Sequence, residues 1–116
     1  MVSFKYKLYD YSGEKLITSV DDIPNHMLES FTGIVLGQYT KSWYQNGSLS
    51  RKDGPARIWF KGNYEHFYQN GKHHRLDGPA IQSIDDHYFQ WYIDGKRVTE
   101  EQHKLLHSIM KLKGLI

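Results

Sequence analysis

One short pattern is written three times in this chain at a single interval of 24 residues, and it limits the folds available more than any other feature. Trp43-Tyr44-Gln45-Asn46-Gly47 is followed by Phe67-Tyr68-Gln69-Asn70-Gly71 and by Trp91-Tyr92-Ile93-Asp94-Gly95. The intervening segment repeats as well, Arg51-Lys52-Asp53-Gly54-Pro55-Ala56 returning as Arg75-Leu76-Asp77-Gly78-Pro79-Ala80. A spacing held this strictly marks a supersecondary unit duplicated in tandem. Asn-Gly and Asp-Gly serve where the backbone must visit positive φ, and Pro55 and Pro79 set an extended start to Ala56–Phe60 and Ala80–Ile84. Lys61-Gly62-Asn63 and Asp85-Asp86 supply tight reversals. The expected unit is an aromatic strand, a long loop, a proline-led strand, a tight turn and the next aromatic strand. Side chains alternate along a strand, so Trp43, Phe67 and Trp91 share one face, and Tyr44, Tyr68 and Tyr92 share the other.

The flanks add three elements. Phe4, Tyr6 and Leu8 alternate with Lys5 and Lys7, and Ser12-Gly13 precedes Lys15-Leu16-Ile17-Thr18, so residues from Val2 to Val20 are expected to form a β-hairpin. Asp21, Asp22 and Pro24 open a short helix over Asn25 to Ser30. Phe31-Thr32-Gly33-Ile34-Val35 reads as a worn copy of the Asp-Gly-Pro-Ala segment. Thr99-Glu100-Glu101-Gln102 is a capping box, and Gly114 fits a helix stop. Between them Leu105, Ile109 and Leu112, flanked by Leu106 and Met110, form an apolar arc expected to pack on the sheet. The predicted architecture is α+β, mainly β, in a single domain over 1–116. The N-terminal hairpin, short helix and degenerate repeat occupy 1–42, the tandem repeats form an antiparallel β-meander over 43–98, and a covering helix runs over 99–113.

Composition narrows the function. The chain has 116 residues, a net charge of +2, no cysteine and 15% aromatic residues. Without cysteine there is no disulfide, thiolate nucleophile or cysteine-ligated metal. The N-terminus lacks the apolar core of a signal peptide, and no run reaches membrane-spanning length, so a soluble cytoplasmic protein is expected. No nucleophile elbow, phosphate-binding glycine loop or framed carboxylate pair is present, and no catalytic residue, cofactor or metal site is assigned. His103 and His107 lie one helical turn apart beside Glu100, but Lys104 stands where a zinc protease needs glutamate. Both fit the border of an amphipathic helix better than a metal centre.

The pattern W-Y-x-N-G-x-x-x-R-x-D-G-P-A over residues 43–95 resembles that of small repeat proteins of bacteriophages, distantly similar to MORN repeats. His74 precedes Arg75 in the cleaner copy, whereas Ser50 stands where the pattern usually has histidine. The resemblance implies a phage-encoded binding protein that engages a host protein in the host cytoplasm, for instance as an anti-CRISPR-like inhibitor of a defence system. It brings no catalytic residues with it.

Positions where the copies agree are expected to build the fold, and positions where they differ are better candidates for binding. Arg57, Trp59 and His66 on the sheet, and Lys52 and His73 in the loops, have no matching residue type one interval later. Arg75 joins them as a loop donor for carboxylate, phosphate or a protein surface, although its recurrence as Arg51 fits a role in stitching the loops. Two other readings remain open at the level of sequence. Aromatics among Arg57, Lys61, Lys72, Arg75, Lys96 and Arg97 suit a nucleotide or nucleic-acid binder. A structural or self-assembling module, including a homodimer through open sheet edges, suits the repeat itself.

Overall fold

The alternating N-terminal segment pairs with itself. In the computed structural model, which describes residues 4–116, β1 (Tyr6–Tyr9) runs antiparallel to β2 (Leu16–Val20). The Asp10 carboxylate ties the turn by accepting from the Ser12 hydroxyl at 2.7 Å and the Lys15 amide at 3.3 Å. Val2 of the expected hairpin lies outside the described residues. The short helix α1 (Asn25–Leu28) stops before Ser30, and Pro24 itself occupies its N-cap with no side-chain hydrogen bond. The Asp22 carboxylate instead accepts from the Ile23 amide at 2.9 Å. β3 (Gly33–Leu36) then pairs with both β1 and β4 (Thr40–Gln45), so the worn copy joins the hairpin to the repeats.

The sequence reading places a long loop straight after each aromatic strand, and here the structure differs. Each aromatic strand first turns back on itself. Tyr44 and Gln45 pair with β5 (Ser48–Leu49), while Thr40–Ser42 of the same strand pair with β6 (Arg57–Trp59). β7 (Tyr64–His66) lies beside β6, and past a break at Phe67 the chain continues as β8 (Tyr68–Gln69), which pairs with β9 (Lys72–His73). β10 (Ile81–Ser83) lies between β7 and the first half of β11 (Tyr88–Ile93), whose second half pairs with β12 (Lys96–Val98). The turns explain the return strands. Asn46 and Gly47 have φ of 49° and 83°, Asn70 and Gly71 50° and 78°, and Asp94 and Gly95 47° and 80°. Two successive positive φ values make the two-residue turn whose twist suits a tight antiparallel hairpin.

Successive hairpins are joined by one repeated set of bonds. The amides of Gly47, Gly71 and Gly95 donate to the carbonyls of Phe31, Leu49 and His73 at 2.9, 2.8 and 2.8 Å. The preceding turn residue donates each time to a side chain: Asn46 to Thr32 Oγ1 at 2.9 Å, Asn70 to Ser50 Oγ at 3.2 Å, and Asp94 to His74 Nδ1 at 3.0 Å. Ser50 and His74 therefore do the same work, which is why serine is tolerated in the histidine position. Arg51 and Arg75 hold the loops, each donating from Nη1 to the carbonyl of Pro55 or Pro79 at 3.1 Å. Each guanidinium also lies 3.9 Å over a ring of its own copy, Trp43 or Phe67. Ala56 and Ala80 have 0% exposure, and their carbonyls accept from the Trp43 and Phe67 amides at 2.7 Å.

The result is an antiparallel meander with strand order β12-β11-β10-β7-β6-β4-β3-β1-β2 and β5 attached to β4. The molecule is elongated, 55 × 30 × 24 Å. Its buried apolar residues include Leu8, Ile34, Val35 and Trp43. The helix α2 (Glu100–Leu112) starts at the expected capping box and lies against β11. Its orientation overturns the sequence reading. Leu105 and Leu112 are 63% and 88% exposed, and Ile109 also faces solvent, whereas His103 is buried and Leu106, His107 and Met110 are half-buried beside it. The buried spacing, 103, 106, 107 and 110, is a proper helical stripe rotated away from the more apolar arc. On this inner side His103 donates from Nε2 to the Arg75 carbonyl at 2.7 Å. In the earlier copy Gln69 Nε2 serves the equivalent Arg51 carbonyl at 2.7 Å. The residue that would repeat Gln69 is Ile93, which has no donor, and the helix supplies one in its place.

Candidate functional site

Three of the residues singled out by disagreement between copies meet on the tyrosine face. Arg57 of β6 stands opposite both Ser42 of β4 and His66 of β7, so register alone brings these side chains together. Arg57 leans toward β4, donating from Nε to Ser42 Oγ at 2.9 Å and from Nη2 to the Tyr44 hydroxyl at 3.0 Å. On the other side, the break at Phe67 turns the β8–β9 hairpin so that His73, paired with Tyr68, comes up against His66. Nδ1 of His66 and Nε2 of His73 share a hydrogen bond at 3.2 Å. The His66 ring lies near-parallel to Tyr68, with centroids 6.3 Å apart, and the His73 ring sits 4.2 Å from Tyr68 and 5.1 Å from Tyr92. A continuous row of Tyr44, Arg57, His66, Tyr68, His73 and Tyr92 results.

Burial sets the charge of this row. It disfavours the charged form of His66 and, with the neighbouring His73 ring and the Arg57 guanidinium adding to the effect, lowers its pKa to about 4. Burial also lowers the pKa of His73 and raises that of the Tyr68 hydroxyl, with Arg57 opposing the rise. At neutral pH, His66 is therefore uncharged, and Arg57 is the fixed cation of the row. Such a row offers hydroxyls, ring nitrogens and one tethered guanidinium in a half-dry setting. Such groups can engage a ligand through hydrogen bonds and ring edges.

The other candidates lie elsewhere. Trp59 is on the same face but two residues further along β6, paired with Tyr64 and 42% exposed, in a groove it shares with Lys5, Tyr6, Tyr39 and Thr40. Lys52 and Arg75 line an open cleft of about 1070 Å³ together with Glu65, Phe67 and Gln82. Those three are out of phase with His66 along β7 and β10, which puts the cleft on the opposite face. Arg75 is engaged within the fold on all sides, by the Phe67 ring, the Pro79 carbonyl and the Asp77 carboxylate at 3.0 Å. His103 and His107 form no outward pair, since His103 is buried with Nε2 committed to Arg75.

Sequence reasoning assigned Tyr44, Tyr68 and Tyr92 to filling the sheet and so missed them as part of this row. Their recurrence on one face, beside residues that do not recur, was the available signal. Comparison with known proteins leaves the reading to the geometry: the chain matches no family model, no curated protein and no solved structure.

Proposed function

We propose that this chain is a non-enzymatic binding protein that engages a protein partner through the row from Tyr44 to Tyr92. Following the resemblance of its repeat, we read it as phage-encoded, with a host protein, such as a component of a defence system, as the partner. The observation that carries the reading is the packing of His66, Tyr68, His73 and Tyr92 against one another. The rings stand side by side in one row, with hydroxyls and ring nitrogens as polar handles. Aromatic rings with polar handles anchor protein interfaces, and a single arginine beside them is the other residue type enriched there. The phosphate backbone needs several cations and the row holds one arginine, which argues against the nucleotide reading.

Tagged protein incubated with bacterial lysate is expected to retain one host protein in stoichiometric amount. Arg57→Ala combined with Tyr92→Ala should release it while leaving circular dichroism unchanged. Retention of nothing, or retention unaffected by those substitutions, would overturn the reading. Salt-sensitive binding of oligonucleotides or cyclic dinucleotides would replace it.

A further inference from the structure

The facing nitrogens of His66 and His73 stand at the separation that two ligands of one metal ion require. A tetrahedral zinc site has metal–nitrogen bonds of about 2.0–2.1 Å, which puts adjacent ligand nitrogens roughly 3.3 Å apart. Nδ1 of His66 and Nε2 of His73 stand 3.2 Å apart. That separation comes from the backbone, since His66 ends β7 and His73 ends β9, with the Phe67 break and the Asn70-Gly71 turn between them. The two rings are inclined at 43° with centroids 5.4 Å apart, and each is braced by Tyr68, so little freedom is lost when both bind one ion.

We propose that His66 and His73 form a bidentate site for a divalent metal ion that favours imidazole, Cu²⁺ most strongly and Zn²⁺ next. No protein group supplies a third ligand among the described residues, so water completes the coordination sphere. The order of affinity is that of nitrogen sites generally. Binding requires both facing nitrogens to be bare. In the resting pair one ring donates its N–H to the other, so on binding that proton moves to the far nitrogen of the same ring. The imidazoles stay neutral and no proton is released. The cation most opposed to a metal here is Arg57, and its guanidinium is drawn toward β4 by Ser42 and Tyr44, away from β9. The remaining ionisable groups of the row, the hydroxyls of Tyr44, Tyr68 and Tyr92, are neutral oxygen donors and place no second positive charge there. The site is independent of whichever macromolecule the surface engages.

The test is titration of the full chain with CuSO₄ and with ZnCl₂ by calorimetry, alongside His66→Gln, His73→Ala and, as a control away from the row, His107→Gln. One equivalent of Cu²⁺ should bind wild type. Loss of either ligand removes the chelate and should weaken binding by about a hundredfold, whereas His107→Gln leaves it unchanged. Ring ¹⁵N spectra of wild type with Zn²⁺ keep the proposal open to refutation should either variant misfold: the His66 Nδ1 and His73 Nε2 signals should shift together. Absence of binding, wild-type affinity in either single variant, or shifts confined to other histidines would each overturn it.

Discussion

Replacing His103 probes the bond that docks the C-terminal helix on the repeat array. The residue is 5% exposed, and its Nε2 is the donor that meets the Arg75 carbonyl at 2.7 Å. His103→Ala strands that carbonyl beneath the helix, at a cost of about 1–3 kcal/mol. Removing the ring leaves a void as well, bringing the total to roughly 2–4 kcal/mol. With a urea slope of about 1–3 kcal/mol per molar, the unfolding midpoint should fall by on the order of 1 M. His103→Gln should recover at least half of the loss, because Gln69 makes the same bond to the Arg51 carbonyl one copy earlier. Leu112→Ala, on the outward side of the helix, should stay within about 0.5 kcal/mol of wild type. The assay is urea unfolding followed by far-ultraviolet circular dichroism. If His103→Ala were as stable as wild type, or Leu112→Ala the more damaging of the two, the account of how this helix docks would fail.

Two further outcomes follow from the same geometry. His66 titrates at about 4 in the folded protein against an ordinary 6.5, so below the ordinary value the unfolded chain takes up a proton that the folded chain refuses. Stability should therefore be level above neutrality and fall as pH drops from about 6.5 toward 4; unfolding at stepped pH in chelator should show a shallower fall for His66→Gln, and an identical slope would refute it. Arg75→Lys keeps the charge but gives up the flat stack on Phe67 and the fixed fork to Pro79 and Asp77, and should lose about 1–2 kcal/mol in urea unfolding, whereas an unchanged midpoint would mean that the fork is dispensable.

The repeat, its turns, the N-terminal hairpin and the start of α2 were legible in the sequence because each rests on short-range chemistry. A pair of positive φ values selects Asn-Gly, and a capping box needs four consecutive residues. The return strand after each turn was also implied by Asn-Gly, yet a two-residue strand such as Lys72–His73 has too little pattern to be seen without its partner. The recurrence of Arg51 as Arg75 points to loops stitched to their neighbours, whereas each guanidinium binds within its own copy.

What the tertiary structure decided lies at longer range. The apolar arc of Leu105, Ile109 and Leu112 is the stronger hydrophobic signal, but the helix turns His103 inward, where it gives the Arg75 carbonyl the donor that Ile93 lacks while Leu106 and Met110 supply the apolar contact. His66 and His73 were each picked out because their copies differ. Their meeting depended on a strand break at Phe67 that pairs Tyr68 with His73 and closes the two imidazoles to 3.2 Å. Period and turn chemistry determine which strands form. The direction in which a broken strand turns, and the polar group it must satisfy, decide which side chains share a surface.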